Sequence, residues 1–352
     1  MNFASDNWAG ASERVISALA EAARRGGPAY GADDRTKAVE RRFAEIFERD
    51  VAVFLVASGT AANALGLSAY ARPGGVTFCH REAHILVDEA GASEFFGGGV
   101  KVVGLDGEGG KIAPETLAMA MAKFPEGVGH HGQPIAVSLT QITELGTAYM
   151  PAEVAALAEV ARTRGAAVHM DGARFAGAVA SLGVAPADMT WRAGVDVLSF
   201  GATKNGCIAA EAVVFFNPAH ARDFGFARQR AGQGFSKNWF IAAQFDAYLK
   251  DDHWLDLARH ANEMGRRLAA AIEKSKPGRL AIEPAANEVF AVLKKIADAR
   301  LRASGAVYHP WLADSVPADR RPGADEVLVR LVTTWQTPQE DIDRFAAVLS
   351  AA

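Results

Sequence analysis

Cysteine is nearly missing from this chain: 352 residues hold two, Cys79 and Cys207. They form neither a metal-type spacing nor a disulfide framework, so both read as small buried residues of a chain kept in the reducing cytoplasm, and no metal is expected. No apolar run approaches the roughly 20 residues that cross a bilayer, which removes the membrane. No block of Lys and Arg stands out and the net charge is −4, which removes nucleic acid as an indicated partner. The opening Met-Asn-Phe-Ala-Ser-Asp-Asn lacks the basic and apolar regions of a secretory leader. Internal repeats and low-complexity tracts are absent as well. So is a Gly-x-Gly-x-x-Gly after the first strand, which speaks against a nucleotide-binding Rossmann protein.

What is there is apolar, half of all residues, and ordered along the chain. Val51–Val56, Ile135–Leu139, Ala166–Met170, Val195–Phe200 and Ala212–Phe216 read as buried strands. Helix-period segments intervene, among them Ala61–Tyr70 and Ala152–Arg164, the latter stopped by Gly165. Short apolar strands alternating with helices predict an α/β domain built on a largely parallel sheet covered on both faces, with its site at the carboxyl ends of the strands. Near Ala242 the pattern changes. A long helical stretch to Lys274 breaks at Asp251-Asp252, and strands at Glu288–Leu293 and Glu326–Thr333 frame a helix from Ile296. The final element opens on Thr337-Pro-Gln-Glu340, a capping box with Pro at the first helical position. This predicts a large domain over residues 1–245, with the N-terminal segment reaching its site, and a small α+β domain over 246–352.

Six positions carry chemistry. Ser58-Gly59-Thr60 follows a strand and opens a helix, where main-chain N–H groups and a hydroxyl converge on a place that favours an anion; the plainer reading is an αβ turn capped by Thr60. Asp171 and Lys204 each end an apolar strand, one strand–helix–strand step apart. A carboxylate that can face a pyridinium nitrogen and an amine that can form a Schiff base are what pyridoxal phosphate chemistry requires; a turn Asp and a loop Lys are the alternatives. Arg174 could hold a cofactor or substrate oxygen through its fork, or lie on the surface. His84 could stack on an aromatic ring, act as a base, or be structural, and Asp88 and Glu89 beside it are either solvated or orient neighbours. Arg330, a charge inside Val327–Val332, needs a partner: a substrate carboxylate or an internal acid.

In this order the residues resemble those of the low-specificity L-threonine aldolases, pyridoxal phosphate enzymes of fold type I, the aspartate aminotransferase fold. The resemblance runs over nearly the whole chain, through Phe3–Asn7, Ala29–Asp34, Ser58–Asn63, the His84 segment, His169–Arg174, Thr203–Gly206 and Val329–Val332. It implies that Lys204 carries the cofactor, Asp171 meets its ring nitrogen, His84 stacks on the ring, and Ser58, Gly59 and Thr60 hold the phosphate. Ser5, Arg174 and Arg330 would hold an amino-acid carboxylate, and Tyr30 would line the site of a neighbouring subunit in a homotetramer with sites at dimer interfaces. Two positions depart from the pattern. Glu144 stands where many members carry a second His, and Lys237 is the nearest match to a phosphate-reaching Arg. The catalytic base is thus His84, Glu144 or a water held by either. The implied reaction is reversible cleavage of L-threonine or L-allo-threonine to glycine and acetaldehyde; β-elimination or transamination on the same fold, or an idle ligand-binding member of it, are the alternatives.

Overall fold

The computed structural model describes residues 1–351. Seven strands form the larger sheet: β1 (Ala52–Val56), β2 (Gly75–His80), β3 (Lys101–Leu105), β4 (Gln133–Thr140), β5 (Ala167–Gly172), β6 (Val197–Gly201) and β7 (Glu211–Phe215). Their spatial order is β1-β7-β6-β5-β4-β2-β3. Every pair from β3 to β6 is parallel, whereas β7 runs antiparallel to both β6 and β1. The reversal has a simple cause. Residues 202–210 join β6 to β7, and a parallel crossover needs about a dozen residues or more.

Strands β2, β5, β6 and β7 are buried almost throughout, as a sheet covered on both faces demands. One face is backed by aromatic rings: Phe43 packs edge-on against Phe200 and Phe245, and Phe47 against Phe216. The other carries the helix Gly59–Ser68. His169 joins three strands across the sheet, with Nδ1 2.8 Å from Ser138 Oγ on β4 and Nε2 3.0 Å from Ser199 Oγ on β6. Burial pushes its imidazole down to about 4, so it is neutral and structural at ordinary pH.

A second, antiparallel sheet of β8 (Gly278–Ile282), β9 (Glu288–Lys294), β10 (His309–Pro310) and β11 (Glu326–Val332) has the order β10-β11-β9-β8. Its core holds Ile272, Leu293, Leu331 and Phe345, together with Phe3 from the start of the chain. Phe3 is tied there by its N–H to Val307 O at 2.8 Å and by Val332 N–H to its own carbonyl at 2.8 Å. The helical stretch breaks as expected, with Asp251 and Asp252 both at φ 54 between the helices Trp239–Leu249 and His253–Lys274. The expected capping box does not form. Pro338 is itself the N-cap of the helix Gln339–Ser350, no side chain caps it, and Thr337 Oγ1 instead accepts from Thr334 N–H at 2.8 Å. Proline cannot donate the N–H that a box would use, and the tight Thr334–Thr337 turn claims the hydroxyl.

Candidate active site

The carboxyl ends of the parallel strands open on a cleft of about 270 Å³. It is lined by Ser58, Gly59, Thr60, His84, Glu144, Asp171, Arg174 and Lys204, and thereby collects most of the residues singled out from the sequence. One end is main chain. The helix Gly59–Ser68 begins here, capped by Ser58 Oγ accepting from Ala61 N–H at 3.3 Å, so the cap is Ser58 rather than Thr60. A Cβ on Gly59 would meet nothing within 4 Å, which leaves room for a ligand against the first helical turn.

Asp171 closes β5 and is buried. Its Oδ1 accepts from Ala173 N–H at 3.0 Å and its Oδ2 from Asn63 Nδ2 at 2.8 Å. It therefore makes the expected turn and still faces the cleft. Asn63 Nδ2 also donates to Glu89 Oε1 at 2.8 Å, and that oxygen lies 2.9 Å from His84 Nδ1. Glu89 is thus buried and orients both neighbours rather than being solvated. Its hydrogen bond raises the His84 imidazole above its ordinary range and outweighs the burial that would lower it.

Glu144 lies in the loop after β4. Its Oε1 accepts from His84 N–H and from Thr140 Oγ1, both at 2.8 Å, while its Oε2 is buried without a partner. Burial first, and the nearby Asp171 charge second, push the carboxyl up to about 7. Lys204 stands in the short helix Thr203–Asn205 after β6 and forms no ion pair among the described residues. Two glycines set its loop. A Cβ on Gly201 would fall 2.8 Å from Ala173 Cα, and Gly206 holds φ 106 where Leu257 crowds it.

Arg174 is not superficial, its side chain 14% exposed, and its fork is taken. Nε and Nη2 donate to Asp6 at 2.7 and 3.0 Å, and Nη1 lies 3.1 Å from Glu288 Oε2. Burial opposes the Asp6 charge, but Arg174 and Lys204 together hold that carboxyl below its ordinary value. Arg330 has its guanidinium 4.6 Å from the centre of the Trp311 ring and its Nη1 4.0 Å from Glu288 Oε1. It borders the Arg174 cluster, outside the lining of the cleft. Ser5 caps the turn Asp6–Trp8, its Oγ accepting from Asn7 N–H at 3.1 Å, and Asn7 rather than Ser5 reaches the cleft. Tyr30 and Lys237 are exposed and lie outside it, brought near one another by Tyr30 N–H donating to Ser236 O at 3.0 Å.

The beta-eliminating lyase family model matches residues 2–296. Among curated proteins, the low-specificity L-threonine aldolase of Pseudomonas aeruginosa is 39% identical over 98% of this chain and 95% of its own. That of Pseudomonas sp. is 36% identical over 99% and 97%. The chain belongs to the low-specificity L-threonine aldolase family. A solved threonine aldolase from Leishmania major superposes on this aldolase-family chain with a TM-score of 0.91 at 27% identity, covering 99% of this chain and 98% of that one. The fold is fold type I, as the resemblance implied.

Besides Asn63, two charged residues in and beside this cleft do not stand out from the sequence. Glu211, buried at the start of β7, and Glu288, buried at the start of β9, each open an apolar strand with a charge. Unlike Arg330, which interrupts its strand, both stand at the strand's first position.

Proposed function

We propose that this chain is a pyridoxal phosphate enzyme that reversibly cleaves L-threonine, L-allo-threonine and related L-3-hydroxy-α-amino acids to glycine and an aldehyde. The observation that carries the reading is one cleft holding an amine without an ion pair, a buried carboxylate and an open helix N-terminus. The residues fit the cofactor. The N–H groups of Gly59 and Thr60 have no protein partner among the described residues and Gly59 leaves space before them, a cradle for a phosphate. Asp171, held by Asn63 and Ala173, would meet the ring nitrogen; Lys204 would carry the group, and His84 would stack on it. When bound, the cofactor supplies an electron sink for the bond broken at Cα.

The protein supplies orientation and proton transfer. Arg174, which lines the cleft, would hold the substrate carboxylate, with Arg330 beside it across Glu288, and so fix the orientation of the bonds at Cα; Ser5, which caps its own turn outside the lining, would not reach it. With its fork held by Asp6, Arg174 acts from a fixed position. Of the three candidate bases, Glu144 has the best support. One oxygen is anchored by two donors, the other is free, and a carboxyl near 7 suits a general base at neutral pH. His84, raised by Glu89, is the poorer acceptor. Tyr30 and Lys237, exposed and outside their own cleft, suit a role in a neighbouring copy's site, in keeping with a homotetramer built from dimers. Two buried, unpaired cysteines suit the cytoplasm.

The test is to incubate the cofactor-loaded protein with L-threonine, L-allo-threonine and L-phenylserine and to assay glycine and aldehyde. The family description favours one other reading, β-elimination, which would release pyruvate and ammonia from L-serine instead. Absence of glycine with all three substrates overturns the aldolase proposal.

A further inference from the structure

Lys204 and Glu211 bracket the same β6–β7 connection and face the same cleft. The ladder pairs Glu211 with Gly201, and the short helix Thr203–Asn205 that carries Lys204 follows Gly201 in the same connection. Thr203, next to Lys204, ties the two ends of the connection together, its Oγ1 accepting from Ala210 N–H at 3.2 Å. Glu211 is 6% exposed. Neither it nor Lys204 has an ion-pair partner within 4 Å among the described residues, although Asp6, Arg174, Glu288 and Arg330 nearby are all paired. A buried carboxyl without a cation and an amine without an anion thus line one cleft from one connection, and the Lys204 charge is felt at Glu211.

We propose that Glu211 is a positioning residue for Lys204, holding the proton that Lys204 must shed to become a nucleophile and returning it when the amine is released. Nζ and the carboxylate lie more than 4 Å apart, so the proton passes through the cleft that both line: the Lys204 ammonium loses one proton, the Glu211 carboxylate gains one, and a neutral Nζ and a neutral acid remain. Burial raises Glu211 to about 7, opposed by Thr203 and Lys204 and helped by Asp171 on β5. The other ionisable groups that face it, Cys207 and Tyr248, are pushed by burial far above their ordinary ranges and stay neutral. The carboxyl therefore exchanges its proton in the range where the enzyme would work.

This rests on Lys204 being the cofactor-bearing amine, and the experiment separates the two claims. In full-length protein stripped of cofactor, the rate at which trinitrobenzenesulfonate labels Lys204 is followed by mass spectrometry from pH 5 to 10. The wild-type profile is expected to inflect near pH 7. Glu211→Gln should lose that inflection, whereas Glu211→Asp and Glu144→Gln should keep one. An inflection that survives in Glu211→Gln overturns the proposal. Borohydride reduction of the loaded protein, followed by mapping of the modified lysine, tests Lys204 itself. If the cofactor maps elsewhere the proposed function falls; if it maps to Lys204 while the Glu211→Gln profile is unchanged, only the Glu211 role falls.

Discussion

The two sheets each begin a buried strand with a glutamate, and the two glutamates face different cations. Glu211 on β7 faces Lys204, and Glu288 on β9 lies between Arg174 and Arg330. Burial raises both carboxyls above their ordinary range. The contrast lies in the partner. A guanidinium does not give up its proton in a protein, whereas an ammonium does when its surroundings ask it to. The arrangement in the small sheet is therefore a fixed electrostatic frame, with Asp6, Arg174, Glu288 and Arg330 keeping their places through the reaction. The arrangement in the large sheet is an exchangeable one. The same residue type at the same kind of position serves rigidity in one sheet and proton traffic in the other.

The strongest way to break the contrast is to make the exchangeable cation permanent. Lys204→Arg keeps the charge and removes the nucleophile, so covalent cofactor capture and turnover should fall by more than about a thousandfold, read by mass spectrometry after reduction and by glycine release. Turnover near the wild-type level would dismiss the central role of Lys204. Next comes Glu144→Gln, which leaves both cation partnerships intact and removes the proposed base. It should lower kcat about a hundredfold with little change in cofactor affinity. It should also erase the rise of activity through about pH 7 that the ionisation of Glu144 imposes.

The frame itself is tested by Arg174→Ala, which leaves Asp6 and Glu288 buried without their shared cation. A loss of about 3–5 kcal/mol of unfolding free energy is expected near neutral pH. Because Arg174 holds Asp6 below its ordinary value, that part of the stability is present at neutral pH and fades as the pH falls through the lowered value, so the loss should shrink in acid. Urea melts at pH 7.5 and at pH 3, below the ordinary Asp value of 3.8, that show equal losses would refute the frame.

The smallest effect is a gain. The Glu211 carboxyl is raised from 4.5 to about 7, so the folded chain holds that proton more tightly than the unfolded one, and stability is lost as pH climbs through this window. Glu211→Gln should therefore stabilise the cofactor-free protein by roughly 1–3 kcal/mol at pH 8 and by almost nothing at pH 4. A thermal melt showing destabilisation at pH 8 would count against an ionised, buried Glu211.

Much of the site could be read in advance because it sits where strand periodicity ends. Asp171, Lys204 and the Ser58 turn were conspicuous as polar residues closing apolar runs, and the structure brings them into one cleft. What escaped notice lies at strand beginnings or within elements. Glu211 and Glu288 precede their apolar runs and look like ordinary flanking charges. Asn63 lies within a helix, and only its packing onto β5 reveals that it ties Asp171 to Glu89. In the fold, β2 and β3 passed unread because Thr77, His80, Lys101 and Gly104 dilute their apolar character, although parallel neighbours bury β2 fully. Strand direction was invisible in composition; the length of the 202–210 connection carried it.

Phe3 and Asp6 have partners far along the chain. Phe3 hydrogen-bonds Val307 and Val332, and Asp6 accepts from both Arg174 and Asn287. During synthesis the frame around Arg174 cannot be complete until Asn287 and Glu288 have emerged. A ribosome-bound chain that has already folded its large sheet would still lack that frame, and with it the place proposed for a substrate carboxylate.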